Sequence, residues 1–329
     1  MRDGRSKALT LGLAALFAAA LVPRGALAQS PYPARPVRLV VPFLAGGAID
    51  LVARLVTENM AGRMGQPFVI DIRAGAGGTI GADAVAKAAP DGHTLLFTVQ
   101  APLTITPFVI KQMPYDAENA FAMISIVAEA PNVLLVHPGI AFRTVKQFIE
   151  YAKAHPGMLT YASQGPGTTG HITGAMLNQQ AGISLVHVPY KGFPPMFTDV
   201  KTGRVAMMIA DTINALPRIH SKELIPIAIA AEKRSGMLPE VPTFAENGYP
   251  GVVSGPWFAL AAPAGTPIEL RRLLADEART ALANPTVAQR LRDLGVDLRG
   301  TTPEEADAWT KSEYKRWRDA IRAAGIKPE

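Results

Sequence analysis

Cysteine is absent from the 329 residues. That absence excludes disulfide staples, zinc ribbons, iron–sulfur clusters and thiol catalysis together, because each requires a thiolate. Charge is sparse as well: 18% of residues are Asp, Glu, Lys or Arg, and aromatics make up 7%. With 48% hydrophobic residues the chain has ample material for a core, which excludes wholesale disorder. No His-Glu-x-x-His run and no pair of histidines four apart occurs among the six histidines, at 93, 137, 155, 171, 187 and 220, so no metal and no other cofactor is expected. Lys and Arg are spread without an aromatic-interleaved cluster, so nucleic acid is not an expected partner. Beyond the N-terminus, no apolar run is long enough to span a bilayer.

What is present begins with an export signal. Arg2, Arg5 and Lys7 precede an apolar run from Ala8 to Val22, and Ala26-Leu27-Ala28 closes it with small residues two positions apart, the pattern of a Sec-type signal peptide over residues 1–28. Its removal takes the formal charge from +6 to +3, an ordinary balance for a soluble exported protein. The remaining length of about 300 residues predicts two domains, since single cores stop growing near that size.

Short apolar runs alternate with helix-periodic segments. Val37–Val41, Phe68–Ile72 and Thr94–Val99 read as buried strands, the first two followed by glycine turns and helices. A second series begins with a strand at Asn132–Val136, a helix at Val145–Ala154, a strand at Leu159–Ala162 and a helix from about Gly170 to Ala181. Strands at Ser184–Val188, Val205–Ala210 and Ile225–Ala230 complete it. This order predicts α/β layers with mainly parallel sheets, in two series that imply two domains. Near the C-terminus, Thr266-Pro267-Ile268-Glu269 and Thr302-Pro303-Glu304-Glu305 each offer a Thr N-cap, Pro at the first helical position and Glu three residues after the cap. Trp309, Tyr314, Trp317 and Ile321 form an apolar stripe on the last helix, read as packing contacts.

The glycine turns carry the functional signal. A glycine-rich loop opening a helix leaves backbone N–H groups unpaired beside the positive end of the helix dipole, which makes an anion site without a basic side chain. Gly46-Gly47, ahead of the helix with Asp50 and Arg54, is one such turn; Ser163-Gln164-Gly165-Pro166-Gly167-Thr168-Thr169-Gly170-His171 is another and adds hydroxyls. One in each domain, facing across a cleft, would grip a small dianion at both ends. Each turn also has a plain structural reading as a strand–helix connection, and Asp50 as a cap. Rival motifs fail on spacing: Gly75 and Gly77 start a dinucleotide fingerprint whose third glycine falls on Ile80, and Tyr161 stands where a nucleophile elbow at Ser163 needs Gly. Ser163, His171 and Asp211 can be drawn as a catalytic triad only by choosing one trio among many.

In order along the chain stand Val41-Pro42-Phe43-Leu44-Ala45-Gly46-Gly47, Arg73-Ala74-Gly75-Ala76-Gly77-Gly78, Pro90-Asp91-Gly92-His93, Pro131-Asn132-Val133-Leu134, Gly165-Pro166-Gly167-Thr168, His187-Val188-Pro189-Tyr190-Lys191-Gly192, Leu238-Pro239-Glu240-Val241-Pro242-Thr243 and Ala262-Pro263-Ala264-Gly265-Thr266-Pro267. Together they resemble the substrate-binding proteins of the tripartite tricarboxylate transporter system, the Bug family of periplasmic solute-binding proteins.

The resemblance implies an α/β, two-domain type II periplasmic-binding-protein (venus flytrap) fold with two interdomain crossovers. Its first domain would comprise residues 29–128 and 254–329, its second 129–253. It further implies a monomeric, non-catalytic receptor that captures a di-, tri- or aromatic carboxylate and delivers it to a membrane permease. Presentation of the ligand to a sensor kinase, or hydrolysis by Ser163, stand as the alternatives. By position, Ala45, Gly46, Gly47 and Asp50 would form one wall of the site and Ser163, Thr168, Thr169 and His171 the other, with Asp211 at the cleft edge. Phe43 and Phe193 would pin an apolar or aromatic body between them. The sequence departs from the family pattern at Ala45, Asp71-Ile72, His93 and Phe193.

Overall fold

The computed structural model describes residues 32–46, 48–165, 168–190, 193–323 and 328. Residues 1–28, expected to be a signal peptide, and Gly47 lie outside the described residues. From Arg35 onward the chain is one compact unit containing two sheets.

The first sheet contains β1 (Val37–Val41), β2 (Phe68–Ile72), β3 (Thr94–Val99), β4 (Phe121–Glu129), β10 (Trp257–Pro263) and β11 (Asp297–Leu298), in the order β11-β4-β10-β3-β1-β2. The second contains β5 (Asn132–Val136), β6 (Thr160–Ser163), β7 (Val186–Pro189), β8 (Met207–Asp211) and β9 (Ile225–Ile229), in the order β7-β6-β8-β5-β9. The chain crosses between the sheets twice, from β4 to β5 and from β9 to β10.

Both sheets are mixed rather than mainly parallel. β1 pairs in parallel with β2 and β3, and β6 with β7 and β8, as strand–helix–strand units require. The reversed strands are β10, antiparallel to β3 and β4, β11, antiparallel to β4, and β5, antiparallel to β8 and β9. β5 and β10 are each the first strand laid down after a crossover, where the chain enters its sheet without a preceding strand–helix unit to set its direction. β4 and β10 are buried along nearly their whole length, as β1, β3 and β5 are.

The helices are α1 (Ala48–Met64), α2 (Thr79–Ala86), α3 (Val145–Ala154), α4 (Thr169–Ala181), α5 (Phe193–Lys201), α6 (Thr212–His220), α7 (Ile268–Ala283), α8 (Pro285–Asp293) and α9 (Pro303–Ala323). The two faces of the second sheet are covered by separate cores, one around Phe148, Tyr161 and Leu177, the other around Met196, Val200 and Met208. The first sheet carries a core that includes Val40, Leu96 and Trp257. Fully burying a side chain of this kind stabilises by about 1.5–3 kcal/mol. α9 belongs to both lobes: Ala306 packs in the first core, whereas Trp317 and Ile321 pack in the second with Phe148 and Tyr161. Among the described residues, no helix is long and apolar enough to cross a membrane.

Candidate functional site

In open α/β sheets, ligands gather at the carboxyl ends of the strands, where backbone amides and helix N-termini converge. Here the carboxyl ends from both sheets meet across a cleft of about 420 Å³. The first lobe contributes Phe43 after β1, Val99 at the end of β3, and the wide π-turn Ala101–Ile105 that follows it. The second contributes Gln164, Thr168, Thr169 and Gly170 after β6, with Ile209, Ala210 and Asp211 at the end of β8.

α4 opens directly onto this cleft. Thr168 is its N-cap residue, but the Thr168 hydroxyl donates to the Gly165 carbonyl at 2.7 Å instead of accepting from the first turn. The first-turn N–H groups of α4 therefore keep the partial positive charge that favours an anion. Gly170 permits the approach: a Cβ there would lie 2.6 Å from the Ile209 carbonyl oxygen, so only glycine lets α4 seat on β8. Thr169 Oγ1 donates to Asn132 Oδ1 at 3.4 Å, and Asn132 stands opposite Asp211 in the β5–β8 ladder.

Asp211 is the N-cap of α6, accepting from the Asn214 backbone N–H at 3.0 Å and from its side-chain amide at 2.9 Å. Burial pushes its carboxyl up, against the downward pull of the Asn214 donors.

The other anticipated contacts fall behind the wall or away from it. Ser163 is fully buried, and its Oγ lies 2.7 Å from His187 Nε2 and accepts from the Gly165 N–H at 3.3 Å. His187 stacks on His171 with ring centroids 4.1 Å apart, and 5.0 Å from it lies the ring of Tyr161, whose hydroxyl donates to the His171 carbonyl at 3.0 Å. Burial and the neighbouring His171 pull the His187 pKa down to about 4; burial also lowers that of His171. The partner of Ser163 is thus His187, and Asp211 is engaged with Asn214, so Ser163, His171 and Asp211 do not form a triad.

In the first lobe the Gly46 amide donates to Asp50 Oδ2 at 2.9 Å, and Asp50 also pairs with Arg54 at 3.0 Å. Burial opposes ionisation of Asp50, but the Gly46 amide and Arg54 outweigh it and hold the carboxyl below its usual range. Asp50 is a cap that consumes the amide beside it. Ala45 and Gly46 are exposed and, like Asp50, do not line the cleft. Phe193 stacks on Phe197 at 5.8 Å, with the Arg218 guanidinium over both rings, and packs on the outer core of the second lobe.

Much of the cleft lining was not anticipated, from Val99 and Ile105 to Ile209 and Ala210, and it includes two buried polar residues. Gln100, buried at the end of β3, receives the Trp257 N–H at 3.1 Å and donates to the Gly255 carbonyl at 3.3 Å. Asn132, buried at the start of β5, donates to Ser254 Oγ at 2.7 Å and to Thr173 Oγ1 at 3.2 Å. Both reach the returning crossover, so the cleft floor and the hinge share side chains. The Pro131-Asn132-Val133 motif held the only trace of this in sequence.

The model of the tripartite tricarboxylate transporter family receptor matches residues 52–326. The chain belongs to this family. It is 35% identical over 297 residues to the protein BugT of Bordetella pertussis, covering 90% of this chain and 91% of that one. Among solved structures, it resembles Rpa4515 of R. palustris with adipate, at 34% identity and TM-score 0.76, covering 91% of this chain and 100% of the other. MatC from Rhodopseudomonas palustris with bound malate matches at 33% identity and TM-score 0.71, covering 88% and 100%. The family establishes the two-domain periplasmic-binding-protein fold and a solute-binding receptor rather than an enzyme.

Proposed function

We propose that this receptor captures a small organic carboxylate in the interlobe cleft of the periplasm and delivers it to the membrane permease of a tripartite tricarboxylate transporter. The observation that carries the reading is the open N-terminus of α4, presented to the cleft between Thr168 and Thr169. The adipate and malate bound by the two relatives support the ligand class. Residues 1–28 would direct export and be removed. Membership of the two sheets supports lobes of residues 29–128 with 254–329, and 129–253.

Thr168 and Thr169 receive the ligand carboxylate, Phe43 contacts its body, and Asp211 stands beside its head. Ser163 and His171 carry the loop from behind. The carboxylate is held by the first-turn amides of α4, and closure of the lobes converts occupancy into a shape the permease reads. Titration calorimetry against mono-, di- and tricarboxylates and aromatic acids tests the reading. Saturable binding of at least one acid is expected; folded protein that binds none would overturn it.

A further inference from the structure

Most polar side chains of the cleft are already engaged within the protein: Gln100 with Trp257 and Gly255, Asn132 with Ser254 and Thr173, Thr168 with Gly165, and Asp211 with Asn214. Among the described residues the exceptions are Gln164 on the second lobe and Thr106 on the first. Thr106 is only 4% exposed and opens the short turn Thr106–Phe108, directly after the π-turn. A helical Thr hydroxyl commonly donates to the carbonyl four residues back, as Thr104 does to Gln100 at 3.2 Å. For Thr106 that carbonyl belongs to Pro102, and it accepts the Tyr115 hydroxyl at 2.7 Å instead. A buried hydroxyl lining the cleft is thus left without a protein partner, which is costly unless something else supplies one.

Gly77 stands beside it on the same wall. A Cβ on Gly77 would lie 3.4 Å from Thr106 Oγ1, so glycine keeps the hydroxyl accessible. The neighbouring N–H groups are spent, that of Gly78 on the Gly75 carbonyl at 2.9 Å and that of Thr79 on the Ala76 carbonyl, whereas the Gly77 N–H has no acceptor among the described residues. These glycines lead into α2, whose N-cap Gly78 brings no side-chain cap and whose first turn holds no acidic residue, so the positive end of its dipole is uncompensated. None of the first-lobe residues lining the cleft is charged, so no carboxylate opposes an anion there.

Resting on the carboxylate-receptor reading, we infer that Thr106 is a specificity-determining residue: with Gly77 it forms a first-lobe subsite for the far carboxylate of a dicarboxylate whose near carboxylate lies on the second lobe. A ligand ending in a methyl group would reach the same wall and leave both donors without acceptors, and a site built to hydrogen-bond a group rejects the analogue that lacks it. Because the Thr106 hydroxyl holds nothing in the protein, T106V removes it with little change of shape and orphans no other group.

The test is calorimetric titration of the purified protein with matched pairs, adipate against hexanoate and succinate against butanoate. The diacid of at least one pair is expected to bind tenfold or more tightly than its monoacid. T106V, or T106A if the valine variant does not fold, should weaken that diacid at least fivefold and change the monoacid by less than twofold. T106S, which keeps the hydroxyl, should retain the preference. Equal affinities within both pairs in the unaltered protein would overturn the inference, as would a preference that survives T106V or a loss that diacid and monoacid share. Each of these outcomes leaves the carboxylate reading standing, whereas absence of binding by every acid would overturn both.

Discussion

Ser163 illustrates how far a single residue could be read. Its position at the end of an apolar strand, before a glycine turn rich in hydroxyls, marked the loop as a binding element, and the loop does reach the cleft through Thr168 and Thr169. The partner of Ser163 was illegible, because it is set by the parallel register of β6 on β7, which places Tyr161 opposite His187. No local spacing encodes that pairing. The half-buried His171–His187 stack that results has a pH consequence. Folded, His187 stays neutral down to about pH 4; unfolded, it takes up a proton near its ordinary value of 6.5. The unfolded chain binds more protons throughout that window, so the stability tied to a neutral His187 is complete above pH 6.5 and is lost as pH falls toward 4. His187→Gln, which can still hydrogen-bond Ser163, should lose less of its thermal midpoint than the wild type between pH 7 and 5. Identical pH slopes for the two proteins would refute this role.

Elements were legible where local chemistry decides them and obscure where tertiary contacts do. At Thr302 the anticipated capping box forms: the Thr302 N–H donates to Glu305 at 2.8 Å and the Glu305 N–H donates to Thr302 Oγ1 at 3.2 Å. The same pattern at Thr266 does not, because its hydroxyl donates to the Pro263 carbonyl at 2.7 Å and Glu269 turns to Arg272, so α7 starts behind Pro267. Gly170 was correctly placed at a helix start, yet the reason it matters lies on β8, far away in sequence. Gly170→Ala would drive a methyl into the Ile209 carbonyl and force α4 off the sheet. A destabilisation of about 1–3 kcal/mol is expected from such overpacking. Carboxylate affinity should fall at least tenfold, since the displaced helix end is the proposed anion-binding group. Chemical denaturation and calorimetry measure the two effects; an unchanged affinity would remove the α4 N-terminus from the site.

At the scale of the whole molecule, α/β repeats and motif order revealed two lobes, but composition gave no hint that the C-terminal helix ties them together. α9 starts in the first core and ends in the second, and Glu313 sits at its midpoint, buried between the crossovers. Its carboxylate accepts from Trp257 Nε1 at 3.1 Å, from Trp317 Nε1 at 3.0 Å and from Arg316 at 2.7 Å, while Arg316 also donates to the Val253 carbonyl. One acceptor thus satisfies an indole from each core and a guanidinium that holds the returning crossover. Removing it leaves the two buried indole N–H groups without their partner, while the part-exposed Arg316 keeps the Val253 carbonyl. Glu313→Ala should cost about 2–6 kcal/mol, at about 1–3 kcal/mol for each buried donor left unsatisfied. Because the lost contacts are those joining the lobes, the variant should also lose cooperativity. The wild type is expected to unfold in one transition with equal calorimetric and van't Hoff enthalpies, whereas the variant's van't Hoff value should fall below the calorimetric one as the lobes melt separately. Scanning calorimetry of both proteins decides the matter: a variant that melts in a single two-state step would show that the crossovers alone couple the lobes, and that the α9 strut does not.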